Sequence, residues 1–535
     1  MLRKTVVRKN RYLDSVFLMR VARRIAAQPG IQDASALMAT EANRKVLLGM
    51  GYGEDGRDAE FAAAGANDLV LAIEGEATAV AVIAAGLDAW LSWGSGTSTE
   101  PAQEPRSIAE AVARRPDCSM AVISVPGEHA AREARAALKE GLHVFLFSSN
   151  VSVEDERSLK LEARDRGLLV MGPDCGTAFI GGAGIGFANA VRRGPIGIVG
   201  PSGTGLQEFS SLVHQAGSGI SNGIGTGSRD LSDAIGGIST LMGIDALEAD
   251  PATKAIAVLS KPPGKETTAR LLDRLRLCSK PVILCLLGAE PGSTEIPNPG
   301  STSKGPGHLW PTATIDEAVC LALGTAGVSE PEQLRPDPAS MRAQAAAILG
   351  ELRPEQRHIR GLFAGGTLCY QTQTSFLGSG LIAHSNAPIH GMLQLPDPWE
   401  SRENTFVDLG AGLFVEGRPH PMIDASLRKK RLEQEGADPT VAVILLDFIL
   451  GAISSENPVG DLLETIRTAQ ASAERRGGHL CVVASVCGTD GDSQNLQAQV
   501  RALTEIGVLV FPSNAQAAAF CREAMTLLAE RKEVG

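Results

Sequence analysis

Ile196-Gly-Ile-Val-Gly-Pro-Ser-Gly-Thr-Gly-Leu-Gln-Glu208 is a short apolar run that turns through small residues straight into a helical pattern. The same succession returns at Ile359-Arg-Gly-Leu-Phe-Ala-Gly-Gly-Thr-Leu-Cys-Tyr370. A strand that passes through glycine into a helix leaves the first helical N–H groups without partners. Those groups and the helix dipole together attract an anion. Two such turns in one chain point to a phosphate or carboxylate held between two helix starts.

The two stretches continue in step. The first is followed by Gly225-Thr-Gly-Ser-Arg-Asp230, the strand Ala255–Ser260 with Lys261-Pro-Pro-Gly264, the strand Pro281–Gly288 and Trp310-Pro-Thr-Ala-Thr-Ile-Asp-Glu-Ala318. The second is followed by Val407-Asp-Leu-Gly410, the strand Val441–Asp447, the strand Leu480–Gly488 and Val510-Phe-Pro-Ser-Asn-Ala-Gln-Ala517. The matching order favours an internal duplication over two unrelated doubly wound domains, which share such patterns by default.

Around these copies the chain reads as α/β throughout. Residues 1–95 alternate strands and helices. Gly94 to Pro105, rich in Gly, Ser, Thr and Pro, reads as a loop or linker. Residues 107–193 form a second α/β region, whose near-continuous apolar strands imply a parallel sheet covered on both faces. Residues 195–328 and 357–530 hold the two copies. Residues 329–356 are a Glu/Pro/Arg/Gln-rich linker with an Ala-rich helix over Ala339–Leu352. Gly181-Gly-Ala-Gly-Ile-Gly186 follows a Gly-Pro turn instead of opening a helix, and reads as a hairpin.

At 535 residues the chain exceeds a single core. Its formal charge of −11 is spread along the whole length and argues against nucleic acid as a partner. The nine cysteines form no CxxC pair and no Cys/His cluster with ligand spacing, so no metal is expected. No apolar run approaches the roughly 20 residues of a membrane helix, and the start lacks a signal-peptide core. A cytoplasmic protein with no membrane partner is expected.

The residues placed for chemistry are few. Ser202, Gly203, Thr204 and Gly205 form the first turn, and Gly365, Gly366 and Thr367 the second; a plain Ser/Thr-capped helix start is the alternative. Lys261 follows a buried strand, where it would point into the ligand crevice. In Gly417-Arg-Pro-His-Pro-Met-Ile-Asp424 two prolines fix the backbone around His420, and Arg418 could grip an anion with both arms of its guanidinium. Arg229 and Asp230 stand at the matching place in the first copy. His308, His384 and His390 read as surface residues. There is no GxxxxGK[ST] loop and no clean GxGxxG site.

Together, Asp14-Ser-Val16, Leu169-Val-Met-Gly-Pro-Asp-Cys-Gly-Thr177, Gly203-Thr-Gly205, Arg229-Asp-Leu231, Ser260-Lys-Pro-Pro263, Gly365-Gly-Thr-Leu368, Val407-Asp-Leu-Gly410 and Gly417–Asp424 resemble the FdrA family. That family lies within the NDP-forming acyl-CoA synthetase superfamily, which includes succinyl-CoA synthetase. The resemblance implies a Rossmann-like CoA-binding-type domain followed by two flavodoxin-like ligase domains with parallel sheets. It also implies that the two helix starts face one phosphate. The chain departs from the synthetase in three ways. It has no Gly-His-Ala-Gly loop between Gly288 and Trp310, no segment long enough for an ATP-grasp domain, and no Gly-rich CoA-phosphate turn near residues 69–80. The resemblance extends to a component of oxamate carbamoyltransferase, which interconverts oxalurate plus phosphate with oxamate plus carbamoyl phosphate. That implies a phosphate ester or acyl phosphate as ligand, ureide catabolism as setting, hetero-oligomeric partner subunits, Arg418 as charge stabiliser and His420 as proton carrier. A true acyl-CoA synthetase, using CoA or nucleotide as cofactor, is the competing expectation. A ligand-binding or scaffold subunit without turnover is the third.

Overall fold

The computed structural model describes residues 2–11, 13, 15–53, 59–92, 105–288, 308–335, 337–416 and 418–534. Most of the Gly94–Pro105 stretch and most of the Gly288–Trp310 stretch lie outside them. The chain divides into two compact units. One is residues 1–106 with 415–419; the other is residues 107–414 with 420–535.

The N-terminal unit holds β1 (Leu2–Arg8), β2 (Ile31–Met38) and β3 (Leu69–Gly75). β3 runs between the other two and antiparallel to both. Its Leu69, Leu71 and Ile73 pack against Leu18, Val21 and Ile25 of helix Ser15–Ala26. Val70 and Ala72, pointing the other way, meet Leu47, Tyr52 and Phe61. Burial on both faces explains why β3 reads as one unbroken apolar run.

The larger unit opens with a small parallel sheet of β4 (Met120–Ile123), β5 (His143–Leu146) and β6 (Val170–Met171). β7 (Thr177–Ile180) and β8 (Ala183–Gly186) form an antiparallel hairpin over the Gly181–Gly186 stretch. The first repeat follows: β9 (Arg193–Gly200), β10 (Ile220–Gly225), β11 (Ala255–Ser260), β12 (Val282–Leu286) and β13 (Leu309–Thr312). These five are parallel, in the order β13-β12-β11-β9-β10, and the β7–β8 hairpin extends the edge beyond β10.

The second repeat comprises β14 (His358–Phe363), β15 (Ala383–Ser385), β16 (Leu393–Gln394), β17 (Asn404–Asp408), β18 (Val441–Ile449), β19 (Cys481–Cys487) and β20 (Leu509–Phe511). All are parallel, in the order β16-β15-β17-β14-β18-β19-β20. The repeats therefore share one topology. The strand before the Gly-Thr turn is central, β10 or β17 lies on one side, and β11-β12-β13 or β18-β19-β20 lie in succession on the other. Strand order reverses around β9 and around β14, and open parallel sheets bind ligands at the carboxyl ends beside such a reversal.

The expected linker carries the turn Glu332–Leu334 and the helix Pro338–Leu349, which packs on the C-terminal helix Asn514–Val534. Leu334 belongs to the core of the first repeat.

Candidate functional site

β9 ends at Gly200, and helix Gly203–Gln215 begins directly after Ser202. The Ser202 side chain does not cap that helix. Its Oγ lies 2.8 Å from Thr367 Oγ1 on the second repeat. The Thr367 amide in turn donates to Thr204 Oγ1 at 3.4 Å. Helix Gly366–Phe376, which carries Thr367, likewise receives no cap from its own N-cap residue, Gly365. The structure thus brings Ser202–Gly205 and Gly365–Thr367 together, start facing start. Glycine is needed for that approach: a Cβ on Gly205 would stand 2.2 Å from Ser202 Oγ, whereas one on Gly203 would meet nothing closer than Thr177 Oγ1 at 4.0 Å.

The two starts differ in charge. The first turn of helix Gly203–Gln215 contains no acidic residue. At the second start, Asp447 Oδ1 and Oδ2 accept from the amides of Ala364 (2.8 Å) and Gly365 (2.7 Å). Asp447 is fully buried and is paired with the buried guanidinium of Arg428 at 3.1 Å. Asp408, the last residue of β17, accepts from the Gly410 amide at 2.9 Å, and its Oδ2 would lie 2.6 Å from a Cβ on Gly366. Burial pushes the Asp408 carboxyl up to about 6, against the pull of the Lys261 charge. Lys261 crosses from the first repeat, its Nζ 5.2 Å from the Tyr370 ring centroid.

His420 lies beside the same start. Its Nε2 and the Ala364 carbonyl oxygen would each be 2.8 Å from a Cβ on Gly410. Nδ1 accepts from the Met422 amide at 3.3 Å, which assigns the ring proton to Nε2. Burial holds the imidazole down at about 4, so it is neutral near pH 7. A neutral ring with its free proton on Nε2 can donate a hydrogen bond but is a weak base.

Arg418 is exposed and, with residues 415–419, falls in the N-terminal unit; Gly417 lies outside the described residues. Arg229 and Asp230 are engaged in a buried ion network instead of facing the helix starts. Lys160 Nζ bonds Asp230 (2.7 Å) and Glu156 (2.8 Å), Arg229 bonds Glu156, and Asp230 accepts from the amides of Ser239 and Thr240 to cap helix Ile238–Ala249. His308 packs on Trp310.

Asp408 and Asp447 join the site without any mark in the sequence beyond their position. Both stand in quoted strands, at or near the carboxyl ends where site residues collect.

The CoA-ligase family model matches residues 362–525, which hold the second helix start, Asp408, His420 and Asp447. A second model, for the heavy metal-associated domain of AllF, matches residues 1–106. Over 522 residues the chain is 41% identical to the Uncharacterized protein YahF of Escherichia coli (strain K12), covering 97% of this chain and 98% of that one. The chain belongs to the YahF family. A shorter match, 30% identical over 186 residues, joins it to the mitochondrial succinate–CoA ligase [ADP-forming] subunit alpha-2 of Trichomonas vaginalis, covering 33% of this chain and 59% of that one. Among solved structures, the dinucleotide forming acetyl-coenzyme A synthetase 1 of Ca. Korarchaeum cryptofilum matches 78% of this chain and 83% of its own, with 16% identity and a TM-score of 0.28. The ATP citrate lyase of Methanothrix soehngenii matches 80% and 85%, with 15% identity and a TM-score of 0.34. This YahF-family member thus carries a match to the CoA-ligase domain over residues 362–525.

Two groups implied by these relatives can be held against the residues. Residues 1–106 contain neither cysteine nor histidine, which leaves methionine thioether as their one type of soft donor. Among the described residues no cluster of three or more His, Cys, Asp or Glu could hold an ion. The N-terminal unit does not fit a heavy metal. On the β4–β6 sheet, helix Gly127–Lys139 carries Glu128 in its first turn, and helix Val153–Asp165 carries Glu154, Asp155 and Glu156 and is already capped by Ser152. Carboxylates at those starts oppose a diphosphate, so neither start fits the phosphates of CoA. No described helix is long and apolar enough to cross a membrane.

Proposed function

We propose that this chain is the acyl-phosphate-handling subunit of a CoA-ligase-type enzyme. The observation that carries the reading is the contact between Ser202 and Thr367, which sets against each other two helix starts that their own N-cap residues leave open. The phosphoryl group is held at the start of helix Gly203–Gln215, where the first turn is free of carboxylates. Lys261 supplies a cation at the mouth. Asp408 takes the proton of the nucleophile that attacks the acyl carbon, and His420 Nε2–H donates to the oxyanion that develops there. As the new bond to carbon forms, the C–O bond to phosphate breaks, and the phosphate leaves toward the first helix start. Partner subunits supply the nucleotide chemistry, since no segment of these 535 residues is long enough for an ATP-grasp domain.

A second reading is carbamoyl transfer of the oxamate carbamoyltransferase kind, within the FdrA resemblance. The match of residues 1–106 to the AllF domain bears on the ureide setting of that reading and not on its carbamoyl chemistry. Both readings share the site and differ in the acyl group and acceptor. The deciding experiment uses the chain purified with its co-expressed partners. One arm offers acyl-CoA with phosphate and ADP; the other offers carbamoyl phosphate with oxamate. Turnover in the first arm alone supports the ligase reading, and turnover in the second alone supports the carbamoyl reading. Ligand binding without turnover in either arm rejects both.

A further inference from the structure

Thr177 opens β7 and is 1% exposed. Its side-chain Oγ1 has no hydrogen-bond partner among the described residues. Its backbone is held firmly: Thr177 pairs with Gly186 across the hairpin, and its carbonyl accepts from Cys175 Sγ at 3.6 Å. On the other side, a Cβ on Gly225 would lie 2.2 Å from that carbonyl oxygen. A buried hydroxyl left unpaired costs about 1–3 kcal/mol, so it calls for a partner.

The direction it faces is informative. Apart from Gly203's own chain neighbours and helix backbone, Thr177 Oγ1 is the only atom of the described residues within 4 Å of the place a Gly203 Cβ would occupy, at 4.0 Å. Gly203 is the first residue of a 13-residue helix whose start has no side-chain cap and no acidic residue in its first turn. An open space is thus bounded by free helix N–H groups on one side and by an orphaned hydroxyl on the other. Ser202, 5% exposed, stands at the same turn with its own hydroxyl engaged to Thr367.

We infer that Thr177 is a ligand-binding residue of this site, its Oγ1 donating a hydrogen bond to a phosphoryl oxygen held on the Gly203–Gly205 amides. The assignment rests on the reading of that helix start as the phosphoryl end. The shared chemistry is a tetrahedral oxyanion, whether free phosphate or the phosphoryl group of an acyl phosphate. A phosphoryl oxygen on the helix amides receives the Thr177 proton from a second direction, which a helix start alone does not provide. The hydroxyl stays out of bond-making and acts only in binding.

The test uses the full chain and inorganic phosphate, with calorimetry for affinity and thermal melting for stability. Thr177→Val keeps the shape and removes the hydroxyl; Thr177→Ser keeps the hydroxyl. Wild type and T177S should bind phosphate alike. T177V should bind about tenfold more weakly, the factor that corresponds to a lost bond of about 1.4 kcal/mol. Without phosphate, T177V should melt at or above the wild-type temperature, because it removes an unpaired polar group. Equal affinity of wild type and T177V for both inorganic phosphate and acetyl phosphate overturns the assignment and leaves the hydroxyl served by water. A T177V protein that melts several degrees lower overturns it too, since the hydroxyl is then a structural bond. A wild type that binds no phosphate at all, while acyl-CoA or carbamoyl turnover persists, removes the phosphoryl reading of the helix start and Thr177 with it. A second arm with acetyl phosphate separates the two sources: weakening there alone assigns Thr177 to the acyl phosphate.

Discussion

Glu208 and Gln371 hold the same place on their two helices, each the sixth residue, and each caps the closing helix of the other repeat. Glu208 Oε1 accepts at 2.9 Å from the amide of Asn514, the first residue of helix Asn514–Val534. Gln371 Oε1 accepts at 3.0 Å from the amide of Ile315, the first residue of helix Ile315–Thr325. The exchange is reciprocal and relates the repeats as an approximate pair around the facing helix starts. Together with the shared strand order, it supports an internal duplication that has kept its own interface.

One member of that pair should make the fold sensitive to pH. Burial, with the nearby Asp316 charge adding to it, pushes the Glu208 carboxyl up to about 7 from 4.5. Below the unfolded value both states hold the proton. As pH rises through the folded value, the unfolded chain has already ionised, and stability falls. Glu208→Gln keeps the acceptor for Asn514, the role that Gln371 already fills with an amide. Relative to wild type it should gain roughly 1–3 kcal/mol between about pH 5 and pH 8. Melting curves at both pH values check this; parallel shifts of the two proteins would reject it.

The facing threonines should matter for ligand. Thr204→Val with Thr367→Val removes the hydroxyls nearest both starts, and each lost charge-assisted bond should cost roughly 1.5–3 kcal/mol of phosphate affinity. Thr367 also bonds Ser202, so the double variant should melt at a lower temperature as well. Calorimetry on the folded double variant is the measurement. Unchanged affinity would remove phosphate from between the starts.

Much of this was legible because both repeat sheets are buried on two faces, which writes their strands as unbroken apolar runs bounded by glycine turns. The convergence of Ser202 with Thr367 followed from the same turn appearing twice. Strand direction in the N-terminal unit was not legible, since alternating strand and helix says nothing of where the last strand inserts. The ion network of Arg229 and Asp230 is hidden in the sequence for a different reason. Helix Val153–Asp165 reads as a charged surface helix, yet Glu156 and Lys160 on it are fully buried because they neutralise each other and Asp230. Charge alone marks a residue as exposed only when its partner is out of reach. Asp408 was passed over because a lone carboxylate at a strand end has no local mark to set it apart from a turn residue.

The N-terminal unit should carry no heavy metal. With no cysteine or histidine in residues 1–106, zinc lacks the donors it favours, and copper(I) is left with methionine thioether alone. Elemental analysis after loading and desalting should find well below one equivalent of either, and a chelator should leave the melting temperature unchanged. One equivalent of metal that survives desalting, lost on truncation of residues 1–106, would refute this.

Asp408 and His420 should separate in a pH–rate profile. Asp408 is buried near the second helix start with its carboxyl at about 6, close to what a proton acceptor near neutral pH needs. His420, held at about 4, is a neutral donor over that range. Asp408→Asn preserves an oxygen for the Gly410 amide, so the fold should survive. Its kcat should fall by about 10²–10⁴, the usual worth of a positioned acid or base, with KM little changed. The limb of the profile near pH 6 should vanish with it. His420→Gln keeps an N–H donor and should retain more activity than His420→Ala, with the pH 6 limb in place for both. His420 also bears on stability with the opposite sign to Glu208. Its folded value is depressed below the unfolded 6.5, so its contribution is present above that pH and is lost as pH falls through about 4. His420→Gln should therefore flatten the acid side of the stability curve. If the limb near pH 6 disappears in the His420 variants and persists in Asp408→Asn, the two roles are exchanged and the imidazole is the base.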